Sequence, residues 1–254
     1  MQKNSIQIIW RFSALFLGII ALTINLINAS FYGDSSLQLF YFTFQTNLFV
    51  TINFAVLTAK NIYYIKHKRI DKSLNNNHST VTAITLYIFI TFLVFWLVVA
   101  PMAVLGNNLE IHLTPLYFVN NFLVHALMPF MAIIDWVMFC PHGGLNKKCA
   151  FFWLIYPLLY GASLVFRAFF CGPFKILSDG TKLYYPYPFL EPLFILRLEV
   201  CQKGLSPYVV LVFVYIFLFM IFYVLGRLTI ALDYSLAQEE TTKNTAKNPI
   251  KKCR

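Results

Sequence analysis

The sequence predicts an all-α membrane protein, a bundle of six transmembrane helices. Three observations carry this. Charged residues make up only 12% of the chain and hydrophobic ones 59%, whereas a soluble domain carries about 25% charged residues. Six apolar runs of spanning length follow one another. The basic residues gather at the ends of those runs rather than on one face of a domain. With 27 Phe and 15 Tyr, the outer surface must itself be apolar, which lipid permits and water does not. The same distribution excludes a nucleic-acid partner: the net charge of +10 reads as topology and headgroup attraction.

The runs are Ile8–Ser30, Leu37–Ala59, Val81–Leu105, Leu116–Phe139, Cys149–Phe170 and Tyr208–Ile230. Each can cross a bilayer as a helix, with room for tilt. A barrel is excluded because the runs do not alternate. The first run follows Lys3 as a signal peptide would, but it is too long for one and lacks a cleavage site, so it reads as an uncleaved helix. No internal repeat points to a transporter of the inverted-repeat kind. Residues 1–232 form the six-helix domain, and the polar, basic tail 233–254 is expected to be disordered or to lie on the headgroups.

Orientation follows from Lys and Arg. The first and third connections carry none. The second carries Lys60, Lys66, Lys68, Arg69 and Lys72, the fourth Lys147 and Lys148, and the tail a further cluster. Both termini are therefore expected in the cytoplasm. The fifth connection, Cys171–Ser206, is the large outward one. Its stretch Leu183–Leu196 is apolar and broken by prolines, so it is expected at the interface or dipping into the bundle. Cys171 and Cys201 share this connection, where a disulfide can form. The cysteines have no metal-ligand spacing, and no cofactor motif is present.

Polar side chains inside hydrocarbon are costly, so they are where function is sought. The second helix carries Thr43, Thr46 and Asn47 on one stripe, with Gln45 nearly opposite; the fourth carries Asn121 and His125 on one face. Thr43 and His125 come out roughly 9 and 14 Å below the outer face at 1.5 Å per residue. A threonine hydroxyl needs a neighbour to take its proton, and His125 is the residue able to do so. Asn47, Asn121 and Thr46 are the candidate supporting or oxyanion donors. The structural alternative is that these groups only join helices by hydrogen bonds. Asp135, the acid well inside a span, is a candidate secondary site; it is expected to pair with a Lys or Arg or to reach the interface, and a proton or ion path is the alternative. Arg11, Arg167 and Arg227 are expected to snorkel.

Three segments together carry a family resemblance: FYFTFQTN in the second helix, NNFLVHALMPFMAIIDW in the fourth, and YPYPFLE, Tyr185–Glu191, after the fifth. The chain resembles the six-transmembrane androgen-induced hydrolases, their relative the androgen-dependent regulator of tissue factor pathway inhibitor, and their bacterial relatives. The resemblance implies a threonine-type hydrolase of fatty acid esters of hydroxy fatty acids, with Thr43 and His125 catalytic, membrane lipids as partners and no cofactor. Glu191, at the end of the third segment, joins Asp135 as a secondary candidate. The rival reading is a non-enzymatic transporter or lipid-binding protein with polar residues lining a path.

Overall fold

The computed structural model describes residues 2–31, 35–67, 78–105, 115–177, 179–196 and 199–247. Six helices are long and apolar enough to cross a membrane, as fits an integral multi-pass membrane protein. They are α1 (Gln2–Phe31), α2 (Phe42–Lys66), α3 (His78–Met102), α4 (Pro115–Phe139), α5 (Cys149–Phe170) and α6 (Pro207–Lys247). Prolines open α4 and α6, where the missing N–H costs nothing and the fixed φ favours a helix. At most half of any spanning window is buried, and phenylalanines such as Phe166, Phe169 and Phe170 point outward. That leaves an apolar exterior, the surface a bilayer solvates.

The element order follows the sequence reading, but the boundaries of α2 and α6 move. Ser35–Phe40 forms a 3-10 helix, so α2 starts at Phe42 instead of Leu37 and runs on to Lys66. The stretch from Asp233, expected as a loose tail, instead continues α6 to Lys247, and Asp233 is fully buried. A polar run can stay helical here because its first turns are still packed on other helices.

The centre is built from Ala14, Ala21, Val50, Phe54, Ile88, Val124 and Met128. Small residues on α1 let it lie close to α2. A Cβ at Gly18 would stand 2.4 Å from Thr51 Oγ1, so only glycine fits that crossing.

Of the three arginines expected to snorkel, only Arg227 does so, lying exposed against Tyr223. Arg11 is completely buried and grips Asp135 through Nε and Nη2 at 2.8 and 3.1 Å. Asp135 thus has the basic partner that was expected, but from inside the bundle. Once buried on facing helices, each charge needs the other, because either one left alone there would be strongly unfavourable. Arg167 is buried too: its guanidinium lies over Phe40 and Phe174 and donates to the Gly172 and Pro173 carbonyls.

Two π turns interrupt the spans, Phe95–Val99 in α3 and Leu123–Leu127 in α4. Each precedes a proline, Pro101 and Pro129. Pro129 has no N–H for the carbonyls one turn back, and a π turn also leaves an extra carbonyl unpaired. The two carbonyls at that place are taken from outside the helix. Asn47 Nδ2 donates to Val124 O at 3.1 Å, and Trp96 Nε1 donates to His125 O at 3.0 Å.

The fifth connection dips into the bundle. It begins with a two-stranded hairpin, β1 (Lys175–Ile176) and β2 (Lys182–Leu183). A 3-10 turn, Pro188–Leu190, and a short helix, Pro192–Ile195, follow. Leu190 and Ile195 are buried with Leu164 and Leu211 of α5 and α6. Cys171 and Cys201 are both free thiols, so the disulfide considered from sequence is not formed.

Candidate functional site

A cavity of about 370 Å³ lies among the helices beneath the fifth connection. Every long helix contributes to its wall: Asn25 and Asn28 from α1, Thr43 from α2, Phe95 from α3, Asn121 and His125 from α4, Tyr160 from α5, Tyr215 and Phe222 from α6. Pro186, Tyr187, Phe189 and Leu190 of the connection cover it. Most of the lining is aromatic or aliphatic, with a few polar groups, the usual make-up of a small-molecule site.

Thr43 and His125 both line this space. The Thr43 hydroxyl is hydrogen-bonded to the Tyr187 phenol. That phenol sits at the head of α2, where the Phe42 N–H donates to its oxygen at 3.0 Å. Tyr41, the capping residue of α2, offers no side-chain cap. Tyr187 therefore satisfies one of the free amides at the helix start and holds the nucleophile candidate at once. Burial raises the Tyr187 phenol above the ordinary tyrosine range, while its bonds to Thr43 and Phe42 pull in the opposite direction.

The π turn carries His125. Its ring lies flat on Phe95, with centroids 3.7 Å apart and planes 7° from parallel. Its Nδ1 is buried with no hydrogen-bond partner among the described residues. The same holds for Asn25 Oδ1, Asn28 Oδ1, Asn120 Oδ1 and Tyr215 Oη, all on residues that line the cavity. Buried polar atoms are rarely left unpaired; these belong to residues around one space, though the atoms themselves expose almost no surface to it.

The other sequence candidates fall elsewhere. Asn121 lines the cavity, with its amide donating to Tyr117 O. Thr46 is buried between α2 and α3, bonded to Thr91 at 3.0 Å. Asn47 is buried with its amide shared between Thr43 O and Val124 O. Neither Thr46 nor Asn47 lines the cavity; their amide and hydroxyl serve helix contacts, with Asn47 fixing the turn that carries His125. Asp135 lies apart, paired with Arg11. Glu191 also lies apart: its Oε2 accepts the Tyr184 and Tyr185 N–H groups at 2.6 and 3.0 Å, which folds the connection over the cavity.

Sequence reasoning missed Tyr187, Phe95 and the Asn25–Asn28–Asn120 group. The asparagines were open to the same search for polar residues inside apolar runs. Tyr187 and Phe95 were not, because an aromatic in an aromatic-rich chain carries no signal until its neighbours are known. It also missed His78, His142 and Asp233, which meet at the other end of the bundle. No protein-family model matches the chain, and no curated protein or solved structure matches it.

Proposed function

We propose that the cavity is the active site of an intramembrane hydrolase of lipid esters, with Thr43 as nucleophile and His125 as general base. The observation that supports this reading is that one largely apolar space is lined by both Thr43 and His125, with His125 Nδ1 buried and without a hydrogen-bond partner among the described residues. The resemblance of three segments to a threonine-type hydrolase family supports it independently. The substrate is a fatty-acyl ester that enters from the bilayer, in the leaflet away from the cytoplasm if both termini are cytoplasmic. The aromatic wall accepts the acyl chain. Thr43 Oγ1 attacks the carbonyl carbon while His125 takes its proton. The ester C–O bond then breaks, and the proton passes to the leaving alkoxide. Water repeats the sequence on the acyl-threonine and releases the fatty acid. Asn121 and the Tyr187 phenol, which line the same cavity, are the candidate donors for the developing oxyanion.

The test is labelling of the detergent-solubilised protein by a fluorescent fluorophosphonate. Wild type should label, and Thr43→Ala and His125→Ala should each abolish it. No labelling, or labelling indifferent to both substitutions, overturns the reading.

One observation favours a second reading, a lipid-binding protein without chemistry: the partner of the Thr43 hydroxyl is Tyr187. Native mass spectrometry showing a retained lipid, together with an absence of labelling, selects that alternative. A proton path through Asp135 has less support, since Arg11 already neutralises that carboxylate.

A further inference from the structure

We propose that His78, His142 and Asp233 bind a divalent transition-metal ion, with zinc the best match to the donors, at the end of the bundle where α1 begins. His78 is the first residue of α3, His142 lies in the connection between α4 and α5, and Asp233 is on α6. Three separate elements thus bring one donor each to one point, and the donor atoms lie within 4.8 Å of one another. His78 Nε2 is 2.9 Å and His142 Nδ1 is 3.0 Å from the same Asp233 Oδ1. A tetrahedral zinc holds its donors about 2.0–2.2 Å away, hence about 3.3 Å from each other. Each histidine nitrogen needs to part from Asp233 Oδ1 by only a few tenths of an ångström.

The protons give an independent reason. His142 Nε2 faces the Val137 carbonyl at 3.2 Å. A carbonyl only accepts, so this contact is a hydrogen bond in the tautomer that carries its hydrogen on Nε2. A neutral ring then aims the bare lone pair of Nδ1 at a carboxylate oxygen. That contact is repulsive unless a positive charge lies between the two atoms. A metal ion supplies it. A second proton on His142 would also supply it, and the experiment separates these.

The surroundings of His142 and Asp233 are those of a ligand set, whereas His78 Nδ1 is buried with no partner among the described residues. Ligating histidines hold their second nitrogen on a backbone carbonyl, and ligating carboxylates are themselves hydrogen-bonded. Here Val137 O meets His142 Nε2, and the Gly143 N–H donates to Asp233 Oδ2 at 2.9 Å. Trp136 stands edge-on to the His142 ring, with centroids 5.0 Å apart, and walls the group on one side. Histidine nitrogen with a single carboxylate suits zinc and its neighbours in the first transition row better than magnesium or calcium, which take oxygen donors. Three protein donors leave the fourth position to water.

The test uses the full chain in detergent, purified without a histidine tag, stripped with a chelator and dialysed. Zinc added to it should be retained at about one equivalent by elemental analysis and should raise the melting temperature. Cobalt should give the visible d–d bands of a tetrahedral site. His142→Ala and Asp233→Asn should each lose the bound metal and the bands, while His67→Ala, outside the cluster, should keep both. If either variant fails to fold, the wild-type metal content and cobalt spectrum decide the matter. Absence of retained zinc and of the cobalt bands in folded wild type overturns the proposal and leaves a protonated hydrogen-bond network. Zinc retained equally by all the variants also overturns it.

Discussion

Phe95 and His125 lie face to face across α3 and α4, ring on ring at 3.7 Å. Each sits in a π turn, and each turn precedes a proline. The contact holds the imidazole plane at the cavity wall. Phe95→Ala removes a buried aromatic and should cost about 3–5 kcal/mol, whereas Phe95→Leu should cost far less. Thermal unfolding in detergent measures both. If stacking positions His125, the leucine variant, though folded, should lose most of its fluorophosphonate labelling. Full labelling in that variant would show that Phe95 only fills space.

The Arg11–Asp135 pair predicts an asymmetry between single and double replacement. Arg11→Met strands a buried carboxylate and should destabilise by about 3–5 kcal/mol, as should Asp135→Leu. The double variant should recover most of the loss, because two apolar side chains need no partner there. Additive losses in the double-mutant cycle would contradict a direct pair.

Tyr187 links helix capping to the cavity. Its phenol is raised by burial, so the unfolded chain ionises this group first as pH rises. The stability that follows is complete below the ordinary tyrosine pKa of about 10 and falls as pH climbs above it. Tyr187→Phe should make that alkaline loss shallower. It should also lower stability near neutrality by about 1 kcal/mol, through the Phe42 N–H that loses its acceptor. Melting temperatures of both proteins across the alkaline range provide the comparison; parallel curves would exclude this role.

Cys171 is exposed and Cys201 buried, and both are free. A maleimide should modify Cys171 quickly in the native protein and Cys201 only after denaturation. Mass spectrometry without reductant should find no peptide linking the two. A linked peptide would mean that the connection over the cavity adopts another arrangement.

The six helices and their order were legible because lipid imposes a single rule: long apolar runs with charges at their ends. The meeting of Thr43 and His125 on one cavity was legible through depth, since helices that run in the same direction can be aligned residue by residue. Other features depended on contacts that no periodicity encodes. Arg11 looked like a snorkelling end residue until its partner on α4 was seen. Thr46 and Asn47 looked like members of the site because they share a stripe with Thr43, but a stripe is wider than a site, and those two face neighbouring helices. The start of α2 moved because Tyr187, from the fifth connection and remote in sequence, supplies its cap. Asp233 was assigned to a tail because composition alone does not reveal that two histidines wait for it.

The length of α6 has a geometric consequence. Asp233 lies 26 residues beyond Pro207, about 39 Å along a helix axis, whereas a hydrocarbon core is about 30 Å thick. Asp233 therefore lies farther along the helix than an upright helix needs to cross that core, while Tyr215 on the same helix lines the cavity. α6 is then a connecting rod with one polar centre near each end. α3 joins the same two centres, with His78 as its first residue and Phe95 on the cavity wall, so a displacement at the histidine pair meets rigid helices that lead to the cavity.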